Sequence, residues 1–190
     1  MELDIKNYDL GVQVLTPKIN YDERGFVTEI FRNDWNGFFG NEKPNQINIS
    51  KSNPGVIRAW HKHLKDQVDF FTVLKGTVKI CICDNNPESK TFGTLVEIIS
   101  SDKQLQIIKV PGHFWHGTKT IGSDESFTVY FINNLYDYEN PDEQRIPWND
   151  SSIIDPRTKQ AYDWNSVSES GNFLFVVVMV SLEVRSSKII

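Results

Sequence analysis

The 190-residue sequence predicts an all-β fold, either a sandwich or a jelly roll. Short segments rich in Val, Ile and Phe recur along the chain, and several of them alternate apolar with polar residues. Clusters of Gly, Pro, Asn and Asp separate these segments at regular intervals, as turns do in antiparallel sheets. No helical apolar period persists over a normal helix length, which argues against alternating β and α units.

Strands are expected wherever an apolar or alternating segment lies between two turn signals. A short helix or turn is expected at 34–39, a loop at 111–117, and irregular structure at 133–164. The predicted strands lie at 12–15, 26–32, 46–50, 56–60, 70–74, 77–83, 94–99, 105–110 and 127–132.

The length fits one domain with a full hydrophobic core, and we expect it to span residues 1–165. Residues 166–190 form an atypical tail. Its apolar run from Phe173 to Val180 has the composition of a last strand, paired within the subunit or across a dimer.

Charge and composition exclude several classes of function. The net charge of −5 offers no basic surface for nucleic acid. The first residues lack the basic and apolar regions of a signal peptide, and no apolar run reaches the roughly 20 residues that span a bilayer. Cys81 and Cys83 are expected to be buried, reduced thiols. We therefore expect a cytoplasmic protein without nucleic-acid or membrane partners.

The four histidines are confined to two short stretches. His61 and His63 lie two residues apart on a predicted strand, so both side chains can face the interior of a barrel. His113 and His116 lie in the predicted loop that follows Pro111. Histidine titrates near neutral pH and is also a common metal ligand, so both acid–base chemistry and metal binding fit this pattern.

The spacing around these histidines resembles the two motifs of the cupin superfamily, whose members are small jelly-roll barrels. The resemblance covers roughly residues 10 to 150, and Asp69 takes the place of the usual Glu. The first motif is matched by Gly55, His61, His63, Asp69 and Gly76, and the second by Pro111 and His116.

A narrower resemblance is to the nucleotide-sugar 3,5-epimerases of the dTDP-4-dehydrorhamnose type. Several separated motifs match in the same order along the chain, which is more specific than any one of them. They are Asp22 to Phe26 with Glu29, then Gln46, Asn48 and Ser50, Gly55 to His61, Thr91 to Gly93, Pro111 to Gly117, Val129 to Phe131, and Tyr136 with Pro141, Glu143 and Trp148 to Asp150.

This resemblance implies a role for each matched residue. His61 would be the general base that removes a proton next to the sugar's keto group, and Tyr130 the acid that returns a proton on the opposite face. The remaining implied roles belong to substrate binding: Arg24 and Arg58 on the diphosphate, Glu29, Gln46 and Asn48 on the nucleotide, Tyr136 stacking on the base or sugar, and His116 near the sugar.

Two positions depart from the family's pattern and are candidates for a modified site. Asp69 occupies the place of a lysine that helps to stabilise the enolate oxygen, and a carboxylate cannot do this. His63 replaces a glutamine, and the family's C-terminal aspartate, which orients the base, has no counterpart in the apolar tail. One interpretation is that Asp69 contacts His61 and orients it instead.

The resemblance implies an isomerase that acts without a cofactor on a dTDP-4-keto-6-deoxyhexose, inverting one or two centres. It would be a homodimer in deoxysugar biosynthesis, in dTDP-rhamnose or related carbohydrate pathways. One alternative is a metal-binding cupin that uses His61, His63, Asp69 and His116 as ligands. Another is a non-catalytic protein that binds sugar nucleotides.

Overall fold

The computed structural model describes residues 2–167, and the predicted all-β architecture is confirmed. The apolar run predicted as a last strand lies outside the described residues. Two short helices are present, a 3-10 helix at Asp9–Gly11 and α1 at Asn36–Phe39. The strands are β1 (Asp4–Asn7), β2 (Gln13–Thr16), β3 (Ile19–Asp22), β4 (Gly25–Thr28), β5 (Gln46–Ser52), β6 (Ile57–Lys62), β7 (Val68–Lys75), β8 (Thr77–Cys83), β9 (Leu95–Ser101), β10 (Ile107–Pro111), β11 (Trp115–Ile121), β12 (Ser126–Ile132) and β13 (Gln144–Arg145).

Eleven of these strands form two antiparallel sheets that face each other. One sheet has the order β1-β2-β10-β7-β12-β5, and the other has the order β13-β6-β11-β8-β9. Strands β3 and β4 form a separate hairpin. Apart from the consecutive pairs β1–β2 and β8–β9, neighbours in both sheets come from separate parts of the chain, as in a jelly roll.

The central strands are apolar on both faces because each sheet is covered on both sides. In β8, Ile80 and Ile82 pack between the sheets, whereas Cys81 and Cys83 face outward. The outward-facing residues of β8 are covered by the segment that follows β13, which includes Ile153, Tyr162 and Trp164. The larger sheet is covered in the same way by α1 and the residues around it. Both cysteines are buried free thiols, as predicted.

Two predictions about local structure are wrong. The strand predicted at 26–32 ends at Thr28. Beyond it the chain turns away, and Arg32 forms ion pairs with Glu29 and Asp34.

The prediction of a loop over 111–117 is also wrong, because β11 begins at Trp115 and carries His116. Polar residues and Gly117 hide this strand in the sequence. The glycine is required because a Cβ atom there would lie 2.2 Å from the Cβ of Ala59 on the neighbouring strand.

Candidate active site

A cavity of about 990 Å³ opens between the two sheets and is the candidate active site. One wall comes from β5, β7 and β12, the other from β6 and β11, and the chain between 134 and 145 lies along the rim. Eight of the sequence-predicted site residues line this cavity: Gln46, Asn48, Arg58, His61, His63, Asp69, Tyr130 and Tyr136.

Strand β5 presents its polar side to the cavity and its apolar side to solvent. Gln46 and Asn48 line the cavity, whereas Ile47 and Ile49 on the other face are 61% and 65% exposed. The side chain of Gln46 donates to Asn48 Oδ1 (2.9 Å) and accepts from the backbone N–H of Tyr136 (2.8 Å). These bonds tie the rim of the cavity to its wall.

His61 lies on β6, directly opposite His116 of β11 and Arg145 of β13 in the strand register. Its ring meets that of His116 edge to face, with centroids 4.2 Å apart. Burial, and then the charge of His116, lower the pKa of His61 well below its ordinary value, against the opposing effect of Asp69. The imidazole is therefore neutral at neutral pH, which is the form that accepts a proton.

Tyr130 lies on β12 of the other sheet, so it projects into the cavity from the wall that faces His61. Its ring packs 6.1 Å from that of Phe71. Burial, and then the negative charge of Asp69, raise the pKa of Tyr130. The phenol therefore keeps its proton at neutral pH and can donate it.

Asp69 is buried between His63 and His116. Its Oδ2 lies 3.3 Å from Nε2 of His63 and 3.1 Å from Nε2 of His116, and its Oδ1 accepts from the amide of Gln67 at 2.9 Å. Within residues 2–167, no direct polar contact joins the Asp69 carboxylate to His61. Asp69 therefore contacts His116, the neighbour of His61, and raises the pKa of His61 by its charge, rather than being the direct partner considered from the sequence.

Ionisation within this cluster follows from burial and mutual contact. Burial alone would raise the pKa of Asp69, but His116 and His63 together hold it well below its usual range. Burial would lower the pKa of His63, but its contact with Asp69 and the carbonyl of Asp142 raise it. The carboxylate is thus ionised and faces two imidazole rings.

Arg58 holds a fixed place in the cavity wall. Its Nε donates to Ser52 Oγ at 2.8 Å, and its Nη2 donates to the Lys51 carbonyl at 3.0 Å. These bonds use two of the five donors of the guanidinium group. The pre-set planar group suits an anionic oxygen.

Three predicted residues lie outside the cavity lining. His116 is completely buried behind His61. Arg24 and Glu29 lie on and just after the β3–β4 hairpin, where Arg24 pairs with Asp22 and Glu29 with Arg32. A single copy of the chain does not bring the hairpin residues to the cavity.

Sequence reasoning missed three residues that shape the site. The Asp142 carbonyl contacts Nδ1 of His63, and its carboxylate accepts from the backbone of Leu64 and Lys65. Gln67 binds Asp69, and Arg145 lines the cavity opposite His61 while pairing with Glu143. The signal for Arg145 was its position beside the Pro141–Glu143 motif.

Comparisons with known proteins agree with this geometry. A family model described as dTDP-4-dehydrorhamnose 3,5-epimerase matches residues 9–166. The probable low-salt glycan biosynthesis epimerase Agl13 of Haloferax volcanii is 40% identical over 155 residues, 82% of this chain and 94% of that protein. The spore coat polysaccharide biosynthesis protein SpsL of Bacillus subtilis is 32% identical over 156 residues, 82% of this chain and 96% of that protein.

A similar solved structure is the dTDP-6-deoxy-D-glucose-3,5-epimerase RmlC of Legionella pneumophila in complex with dTDP-4-keto-L-rhamnose. It superposes with a TM-score of 0.71 at 29% identity, covering 80% of this chain and 81% of that one. The predicted cupin-type jelly roll and the predicted family are thereby confirmed. The chain belongs to the dTDP-4-dehydrorhamnose 3,5-epimerase family, whose members are isomerases.

Proposed function

We propose that this protein epimerises a dTDP-4-keto-6-deoxyhexose in deoxysugar biosynthesis, with His61 as the base and Tyr130 as the acid. One observation carries the proposal. In a member of an epimerase family, a neutral imidazole and a protonated phenol project into one cavity from two facing sheets. Inversion of a carbon needs proton transfer on both of its faces, and two facing walls provide this.

The reaction begins when Nε2 or Nδ1 of His61 takes the proton from a carbon next to the keto group. The electron pair of the C–H bond moves into an enolate, and the negative charge rests on the former keto oxygen. Tyr130 then donates its phenolic proton to the opposite face of that carbon, which restores the ketone with inverted configuration. Proton exchange with water returns both side chains to their starting forms.

Substrate binding rests on the polar lining of the cavity. Arg58 binds the diphosphate, since its guanidinium is already held in place by Ser52 and Lys51. Gln46 and Asn48 contact the nucleotide, and Tyr136 at the rim stacks on the base or sugar. His116 supports the sugar site from behind His61.

The protein forms a homodimer in this proposal, and the second copy completes the binding site. Ile47 and Ile49 leave an apolar patch on the edge strand of the larger sheet. Phe26 and Val27 on the β3–β4 hairpin are 52% and 72% exposed. Packing the hairpin of one copy on β5 of the other covers both patches.

That packing also accounts for the hairpin residues that a single copy leaves outside the cavity. Arg24 and Glu29 would reach the nucleotide of the neighbouring copy, where the resemblance implies that they bind. The dimer would then hold two equivalent sites, each built from both copies.

The proposed setting is cytoplasmic, with residues 1–165 as the catalytic domain. None of the helices within residues 2–167 is long and apolar enough to cross a membrane. Nucleotide-sugar chemistry needs neither a membrane nor a nucleic-acid partner.

Solvent exchange tests the proposed reaction. The purified protein is incubated in deuterated water with dTDP-4-keto-6-deoxyglucose, and deuterium at C3 and C5 is followed by NMR. We expect deuterium to enter at C3, C5 or both. No exchange with this or any related nucleoside-diphosphate 4-keto sugar would disprove the proposal.

A further inference from the structure

We propose that Arg145 is a further catalytic residue, whose guanidinium group binds the enolate oxygen that forms when His61 removes the proton. This inference rests on the proposed epimerase reaction and deepens it. Proton removal leaves a negative charge on the former keto oxygen, which belongs to the carbon next to the reacting one. A donor that stabilises this oxygen must therefore lie close to the base.

The register of the smaller sheet sets Arg145 beside His61. Trp60 and Ile146 exchange both of their backbone hydrogen bonds, each at 3.2 Å, so they form a hydrogen-bonded pair that extends the ladder between β6 and β13. Such pairs alternate with non-hydrogen-bonded pairs, in which the Cα atoms are only about 4.5 Å apart and the side chains lie closer together. His61 and Arg145 are the next pair along, so they belong to this closer type.

Both side chains project into the cavity. Trp60 and Ile146 pack in the apolar cluster on the outer face of the smaller sheet. Successive side chains of a strand point to opposite faces, so His61 and Arg145 project from the inner face. Both residues line the cavity, as this alternation requires. The guanidinium group can therefore reach the space in front of the imidazole ring.

An ion pair with Glu143 holds the guanidinium group and leaves most of its donors for a ligand. Arg145 Nη2 donates to Glu143 Oε2 at 2.8 Å, and Glu143 also lines the cavity. Within residues 2–167, this is the hydrogen bond that the Arg145 side chain makes to another residue. A guanidinium group has five donors, so those on Nε and Nη1 can face a substrate.

The charges of this ion pair act on both the base and the acid. Burial is the largest cause of the lowered pKa of His61, and the charge of Arg145 adds to it. Burial is also the largest cause of the raised pKa of Tyr130, and the charges of Asp69 and then Glu143 add to it. The ion pair therefore lies near both catalytic groups, where the enolate forms.

Two other permanently charged cations line the cavity within the described residues, and each has another place. Arg58 is held by two hydrogen bonds in the wall and binds the diphosphate in the proposed function. Lys65 lies on the exposed turn after β6, where its Nζ donates to the Asn140 carbonyl at 3.2 Å. Asp69, at the position of the lysine implied by the family resemblance, is an acid and cannot stabilise an oxyanion. Arg145 is the remaining cation for this role.

Arginine suits an enolate oxygen because it stabilises charge without giving up a proton. Its guanidinium group stays protonated, so its N–H groups donate to the oxygen and no proton passes through Arg145. The electron pair of the broken C–H bond therefore remains available at carbon. It forms the new C–H bond with the proton of Tyr130, while His61 keeps the proton that it removed until exchange with water.

Arg145→Gln in the full-length protein tests this role. It removes the charge but keeps a polar side chain, at a position whose side chain is 75% exposed, so the fold should tolerate it. We expect kcat for the epimerisation of dTDP-4-keto-6-deoxyglucose to fall ~10²–10³-fold with KM little changed, because the contact strengthens only as the oxygen becomes charged. Arg145→Lys keeps the charge without the planar group and should recover part of the lost rate. Deuterium exchange at C3 and C5, followed by NMR, should slow in parallel.

A matched variant and a truncated ligand separate this role from others. Lys103→Gln also removes one positive charge, from an exposed turn outside the cavity lining, and should leave kcat and KM unchanged. The nucleotide dTDP carries the diphosphate but has no keto oxygen. Calorimetry should therefore find that the wild type and Arg145→Gln bind dTDP with equal affinity.

The possible failures can be told apart. Equal kcat in the wild type and Arg145→Gln overturns the role of Arg145 and leaves the epimerase reaction standing. A higher KM or weaker binding of dTDP at unchanged kcat also overturns it, because Arg145 would then hold the diphosphate. No exchange at C3 or C5 by the wild type overturns the epimerase reaction, and the role of Arg145 with it.

Discussion

His61 and His63 lie two residues apart on one side of the same chain segment, yet their surroundings differ sharply. The pKa of His61 is lowered by burial and by the charge of its neighbour His116, whereas the pKa of His63 is raised by Asp69 and the Asp142 carbonyl. The ring of His61 is left neutral in the cavity wall, and the ring of His63 is held in a polar cluster. The side of a strand therefore does not fix the chemistry of a histidine, because groups from neighbouring strands decide it.

This contrast predicts that the two histidines fail in different ways. Loss of His61 should abolish proton transfer and leave the contacts of Asp69 with His63 and His116 in place. Loss of His63 should leave the base in place but remove one of the two imidazole contacts of the buried Asp69 carboxylate, which lowers the stability of the fold. Measuring proton transfer and the free energy of unfolding in both variants separates the roles of the two histidines.

The largest effect is expected for His61→Asn. It removes the base but keeps a side chain of similar polarity, so kcat/KM for epimerisation should fall ~10²–10⁴-fold. Rates of product formation by NMR check this, with His113→Ala as the control that keeps normal activity. A variant that retains more than about a tenth of the wild-type rate would remove His61 from the mechanism.

A smaller loss, about 10²-fold in product formation, is expected for Tyr130→Phe. The ring and its packing on Phe71 remain, but the proton donor on the second face is gone. His61 can still remove and return a proton on its own face, so deuterium wash-in should exceed the rate of inversion. If inversion and wash-in stay at wild-type rates, another group is the acid.

Arg58→Ala should act mainly on binding. Hydrogen bonds to charged groups contribute about 1.5–3 kcal/mol, so KM should rise roughly 10–100-fold with a smaller change in kcat. Steady-state kinetics with the nucleotide sugar measure both constants. An unchanged KM would place the diphosphate elsewhere in the cavity, with the exposed Arg145 as the next candidate.

The smallest effect on catalysis is expected from Ile49→Asp, because Ile49 lies on the outer face of β5 and not in the cavity. A charge at a patch buried twice in a symmetric dimer should weaken association by at least ~10-fold. Sedimentation velocity measures the shift toward monomer, and activity should fall with it because the hairpin residues are withdrawn. Ile154→Asp, at an exposed position outside the cavity lining and away from β5 in the sequence, is the matched control. Equal sedimentation of both variants would argue against this interface.

Local signals in the sequence were sufficient for much of the fold. Strand β8 was predicted with its observed bounds, because a segment rich in Val, Ile and Cys lies between Gly76 and the polar turn that begins at Asp84. That glycine has a φ of 78°, and a Cβ atom there would lie 2.5 Å from the Glu125 carbonyl oxygen. Strand β11 was missed because its polar residues and Gly117 do not resemble a strand in the sequence. The need for glycine at 117 becomes evident only when β11 lies beside Ala59 of β6.

The candidate site shows the same difference between what local sequence signals predict and what depends on packing. Motif order identified the residues that line the cavity, including His61 and Tyr130 on facing sheets. It did not predict that Asp69 would contact His63 and His116, since those contacts depend on how three strands pack. Local sequence signals also could not predict that Arg24 lies outside the cavity of its own chain, because the site that we propose for it belongs to a second copy.

The exchange experiment tests the central claim most directly when wild type and His61→Asn are compared side by side. Both proteins are incubated with dTDP-4-keto-6-deoxyglucose in deuterated water, and deuterium at C3 and C5 is quantified over time. We expect wash-in by the wild type and at least ~10²-fold slower wash-in by His61→Asn. Equal rates in the two proteins, or no wash-in by the wild type, would contradict it.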